Sequence, residues 1–152
     1  MAEYQQYFHG YVSLGTPHLG FLFNSSTLID AGMWILKKWT NSQALKELSM
    51  TDAEQFHDTL LYRLSQTASL KHFKHIILIG SFQDRYSPCD SARIQISAEA
   101  LQSTNTNYQK TYLTMAENVL SNLTCEELVR LEVNFRLQDN SFGCLIGQAA
   151  HV

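Results

Sequence analysis

The sequence predicts an α/β fold, with a mostly parallel sheet flanked by helices, and three observations carry that prediction. First, Ile76-Ile77-Leu78-Ile79 is a continuous branched run bounded by His75 and Gly80. Such runs mark a strand buried on both faces, as in a parallel sheet covered by helices. Second, two further apolar stretches read as strands, one around Tyr7 to Leu14 and one from Val129 to Leu137. Third, segments of helical periodicity separate them, and alternation of strand and helix along a chain is the pattern of a parallel sheet.

At 152 residues the chain has room for one domain, since domains average roughly 150 residues. Hydrophobic residues make up 45% and charged ones 16%, enough for a core and too apolar for disorder. The formal net charge is −3, with no basic run, so nothing marks a nucleic-acid partner. Polybasic anchors are likewise absent, and no apolar stretch approaches the ~18 residues that span a bilayer. Cys89, Cys125 and Cys144 are widely spaced and form no CxxC pair, so neither a zinc site nor a disulfide framework is signalled. The N-terminus lacks the basic start and apolar run of a signal peptide. The expectation is a soluble, cytoplasmic protein, in which the sequons at Asn24 and Asn122 carry no sugar.

In chain order, the first strand ends at Gly15-Thr16-Pro17, because proline holds the preceding residue extended and stops pairing. Asn24-Ser25-Ser26 offers cap oxygens to a helix from about Thr27 to Trp39, whose Leu28, Ile29, Met33, Trp34, Ile35, Leu36 and Trp39 make it apolar nearly all round. Such a helix is core, or a lid over a pocket. Thr51-Asp52-Ala53-Glu54 has the spacing of a capping box and opens a helix carrying Phe56, Leu60, Leu61 and Leu64 on one face. After the Ile76–Ile79 strand, a helix is expected from about Ser91 to Leu101 and another from about Tyr108 to Leu120. Finally, strict alternation from Val129 to Leu137 predicts an edge or near-edge strand with one face in water. Three strands are few for such a sheet, so the chain reads as part of a fold.

In open α/β sheets, chemical groups gather beyond the carboxyl ends of the strands. Three polar groupings fall there: Gly15 to Gly20 with His18, Ser81 to Pro88 with Asp84, and Ala149 to His151. An acid after one strand and a histidine 67 residues later follow the chain order of serine hydrolases. There the carboxylate holds one imidazole nitrogen protonated while the other takes the serine proton. At this level local turn formation is the preferred account of Asp84. Arg85 is a candidate ion partner for Asp84. His18 is expected to hold its loop through a ring hydrogen bond, and Ser13, inside a strand, is no nucleophile. His72 and His75, three apart, could meet on one helix turn, but no third metal ligand stands near.

The segments Tyr11 to Gly20, Asn24 to Trp34, Phe73 to Tyr86, Ser91 to Ile94 and Leu145 to His151 together resemble one group. It is the C-terminal serine esterase domain of the proteins called "family with sequence similarity 135". The resemblance runs from about Phe8 to the last residue and implies the C-terminal half of a lipase-like α/β-hydrolase fold. It implies Asp84 as the acid and His151 as the base, no cofactor and no metal, and a role on lipids or other carboxylic esters. The chain departs from the family pattern first in that no G-x-S-x-G nucleophile elbow occurs in it. The oxyanion loop and the helix that closes the domain are also missing, so the chain as written is expected to be inactive. A non-catalytic module that binds a protein or lipid is the alternative.

Overall fold

A computed structural model describes residues 2–23, 42–84 and 87–135. Its centre is a three-stranded parallel sheet in the order β1-β2-β3, formed by β1 (Gly10–Leu14), β2 (His75–Gly80) and β3 (Glu127–Glu132). The register aligns Val12, Ile77 and Val129 in one row and Leu14, Ile79 and Leu131 in the next. The helices are α1 (Gln43–Leu48), α2 (Leu60–Ser65), α3 (Cys89–Ala92), α4 (Ala98–Gln102) and α5 (Thr106–Ser121). Three 3-10 turns accompany them at Ala2–Tyr7, Phe56–Asp58 and Ser69–His72.

The core lies between the sheet and α5. Ile76 and Leu78 of β2 pack into one cluster with Tyr112, Met115 and Ala116 of α5, together with Leu19, Met50, Ile94 and Ala100. Because side chains alternate along a strand, Ile77 and Ile79 point to the other face, where they are only half-buried. The expectation that β2 is buried on both faces is therefore met on one face among the described residues. β3 stands at the edge of the described sheet, as expected, but runs Glu127–Glu132 and turns its apolar side chains away from the core. Its apolar Val129 and Leu131 share the face of Ile77 and Ile79, while Arg130 points to the helix side.

Two helices form differently from their sequence patterns. The Thr51–Glu54 box does not open a helix. Residues 51–55 make bends, and α2 starts after Thr59, with the Asp52 carboxylate accepting the Leu60 N–H across eight residues at 2.8 Å. The expected helix from Ser91 to Leu101 is broken into α3 and α4. Ile94 takes a left-handed φ of 50°, and the carbonyls of Arg93 and Ile94 accept from the Arg130 guanidinium at 2.8 and 3.2 Å instead of closing helical turns. By contrast α5 closely follows its prediction. Asn105 caps it by accepting the Tyr108 N–H. The helix expected over Thr27–Trp39 lies outside the described residues.

Candidate functional site

The first two polar groupings are brought side by side because they follow adjacent parallel strands. The Gly15 N–H donates to the Ile79 carbonyl at 2.8 Å, so the loop after β1 and the loop after β2 leave the sheet at the same end. β3 exits there too, with Val133 N–H donating to the Gly80 carbonyl at 2.9 Å. Gly80 is where α3 comes closest to the sheet. A Cβ there would lie 2.9 Å from the Cys89 carbonyl oxygen and 3.1 Å from its Sγ, so the loop carrying Asp84 turns on a position that excludes a side chain.

Asp84 sits half-buried in that loop. Its backbone N–H donates to the Ser81 carbonyl at 3.2 Å, and its Oδ1 accepts the Ser87 N–H at 3.0 Å. This is the turn-forming role that local chemistry allows, and it also fixes the direction of the carboxylate. Ser81, buried, accepts the Gln83 N–H on its Oγ at 3.1 Å. Burial pushes the Cys89 thiol upward in pKa, more than the neighbouring Arg93 lowers it, so this cysteine is held as a thiol. Arg85, the candidate partner of Asp84, and His151 both lie outside the described residues.

Sequence reasoning missed Gln83 and Arg93. The Gln83 side chain clamps the exit of β3: its Nε2 donates to the Phe135 carbonyl at 3.0 Å, and its Oε1 accepts the Phe135 N–H. Arg93 braces the same end from α3, 3.1 Å from Asp90 and 3.7 Å from Glu132, with its guanidinium over the Phe82 ring at 5.4 Å. No local pattern signals Gln83, whose partner stands 52 residues away; for Arg93 the i,i+3 spacing from Asp90 is legible in the sequence, and the reach to Glu132 is not.

In the loop after β1, the His18 Nε2 lies 2.9 Å from the Ser13 Oγ. Burial lowers the His18 pKa to about 4, so the ring is neutral near pH 7 and its Nε2 shares a hydrogen bond with the Ser13 hydroxyl. A neutral imidazole beside a serine hydroxyl is the arrangement of a base and a nucleophile. Ser13, however, is 3% exposed and faces the core from within β1, so no substrate reaches it. The bond ties the loop back onto the sheet.

At the opposite end of the strands, His72 takes a hydrogen bond from the Gln5 amide, while His75 pairs with Glu127 at 3.5 Å and stacks edge-on against His9. The two histidines occupy a 3-10 turn and a strand, and do not share a helix turn. Among the described residues no group of three histidine, cysteine or acidic side chains could hold a metal. No helix among them is long and apolar enough to cross a membrane.

For a parallel sheet with an acid at the end of its central strand, sequence comparison decides the family. The family model described as "Putative serine esterase (DUF676)" matches residues 4–100. The chain belongs to this family. The match takes in β1, the loop with His18, β2, Asp84 and the helices through Ala100. No solved structure matches the chain. The esterase family accounts for the α/β architecture and for the hydrolase character read from the motifs.

Proposed function

We propose that this chain supplies the acid and the base of a serine esterase acting on carboxylic esters, with a nucleophilic serine from outside these 152 residues. The observation that carries the proposal is the position of Asp84 in a member of a serine esterase family. It follows the central parallel strand, and its carboxylate is oriented by the Ser87 N–H. In the reaction, the Asp84 carboxylate holds one nitrogen of the His151 imidazole protonated. The other nitrogen takes the serine proton as the hydroxyl attacks the ester carbonyl, and returns it to the leaving alcohol. The Asp84 charge then stabilises the imidazolium. Gln83 and Arg93 position the acid by pinning its loop to β3 and α3.

Lipids are the proposed ester class and lipid metabolism the proposed setting, on the resemblance to the "family with sequence similarity 135" domain. The free thiols at Cys89 and Cys125 fit a reducing compartment, here the cytoplasm. In this reading the 152 residues are a partial domain. The absence of a G-x-S-x-G elbow among them favours one alternative, a hydrolase-like module that binds a protein or lipid without cleaving it.

A fluorophosphonate probe separates the two, since labelling requires an activated serine. The chain alone is expected to remain unlabelled and to leave a p-nitrophenyl ester intact. The endogenous polypeptide, defined by its mass and by the 5′ end of its transcript, is expected to label. Asp84→Asn in that polypeptide should lower kcat by about 10⁴-fold. An endogenous protein that starts at Met1 and stays unlabelled establishes the binding module instead. Turnover by the 152-residue chain that survives repurification and vanishes in His151→Ala overturns the external nucleophile.

A further inference from the structure

On the helix side of the sheet, beside β1, lies a cavity of about 260 Å³. The larger part of its wall is apolar, with Leu48 from α1, Leu61 and Leu64 from α2, Leu70 from the turn before β2, and Val119 and Leu123 from α5 and its end, and polar side chains complete it. The polar groups among its lining are mostly satisfied within the protein. The Ser65 hydroxyl donates to the Tyr62 carbonyl and accepts from Asn118. Thr67 donates to the Leu64 carbonyl, and His18 is bonded to Ser13. Groups already paired offer little to a polar ligand, so the interior favours an apolar body.

The charge at the site points one way. Lys71 is the lining residue that carries a full charge, it is exposed, and among the described residues it makes no ion pair. Its neighbour Lys74, by contrast, pairs with Glu126 at 3.9 Å. An apolar cavity of ~150 Å³ takes a benzene, so one of this size takes on the order of ten heavy atoms. Asp84 is not among its lining residues.

We propose that this cavity binds a short aliphatic carboxylate of roughly six to eight carbons, its chain among the leucines and its head group at Lys71. The site is separate from the proposed ester chemistry and stands or falls without it.

Sodium octanoate titrated into the 152-residue chain, kept soluble by Val12→Thr and Leu14→Lys on the sheet face away from the cavity, and followed by heteronuclear NMR, tests the assignment. Saturable shifts are expected at the methyls of Leu61, Leu64 and Leu123 and at the His18 ring, with a Kd on the order of 0.1 mM. Lys71→Ala, a surface change with little consequence for folding, should weaken octanoate roughly fivefold, as for an exposed ion pair. It should leave octan-1-ol, the uncharged chain of the same length, unchanged. Val119→Trp fills the space and should abolish both. Equal binding of octanoate to the parent and Lys71→Ala chains overturns the carboxylate assignment. Shifts confined to Ile77, Ile79 and Val129 on the opposite sheet face, or no saturation before octanoate forms micelles, overturn the site. Ester turnover enters none of these readings, so their failure is distinct from failure of the esterase proposal.

Discussion

His18 illustrates how one side chain sets a pH dependence. Burial favours its neutral form, so the folded ring takes a proton only near pH 4, whereas in the unfolded chain it does so near 6.5. Between those values the unfolded state binds more protons. Stability is therefore fully present above about pH 6.5 and falls as the pH drops toward 4. The full contribution is about 3 kcal/mol, because each tenfold change in proton affinity between the two states corresponds to about 1.4 kcal/mol. Urea unfolding at pH 7 and pH 4.5 should show the parent losing more stability than His18→Gln does, and parallel losses would contradict this account. Tyr112 is a second case. Its side chain is fully buried and its hydroxyl donates to the Gln95 carbonyl at 2.8 Å, and burial raises its pKa further than nearby Asp90 and Glu99 do. Tyr112→Phe removes that bond and should cost about 1–3 kcal/mol in chemical denaturation.

The elements are held by contacts that cross between them. Gly20, at a φ of 70°, lets the chain turn under α1 and α2. A Cβ there would stand 2.6 Å from the Leu48 carbonyl oxygen and 2.9 Å from a Leu61 methyl. Gly20→Ala meets both a left-handed backbone and a backbone clash, and should destabilise by at least about 2 kcal/mol, read as a fall in thermal midpoint. The Arg130 guanidinium occupies the carbonyls where α3 stops. Arg130→Met keeps the stem packed while stranding both carbonyls, so a loss of about 2 kcal/mol is expected, with amide exchange quickening first around Arg93 to Ser97. At this scale the sequence was informative wherever a pattern is local. The branched run became β2, and Asn105 capped α5 within one turn. It was misleading where a distant group intervened: Asp52 caps α2 from eight residues away, and Arg130 interrupts a helix 36 residues before it.

In the whole molecule, strand order decides which face is covered. Parallel connections are right-handed, so an order that runs β1-β2-β3 without reversal sends both crossovers over one face. The contact of α2 with α5 is the result. The opposite face carries Val12, Leu14, Ile77, Ile79, Val129 and Leu131, aligned in two rows by the register. Val12 is 59% exposed and Leu14 67%. These lie on β1, which pairs with β2 on one side and has no described strand on the other. An uncharged edge beside an apolar face invites association. Expressed alone, the chain should be poorly soluble and should bind anilinonaphthalene sulfonate. Replacing Val12 with Thr and Leu14 with Lys together should raise the soluble fraction and cut the dye signal. A chain that is already monodisperse and dye-free would contradict it.

The sequence by itself determined the α/β class, the central strand, the acid at that strand's end and the esterase family, because each rests on a pattern within a few residues or on ordered motifs. The tertiary structure alone decided that β1 and β2 are direct neighbours, which sets the Asp84 loop beside the His18 loop. It alone bonded His18 to a buried Ser13, clamped Phe135 with Gln83 and, among the described residues, left one aliphatic face without a helix. Periodicity and capping report which backbone shape a segment favours. Which hydrogen-bonding groups meet across tens of residues depends on strand order and crossover hand, and those exist only once the sheet has formed.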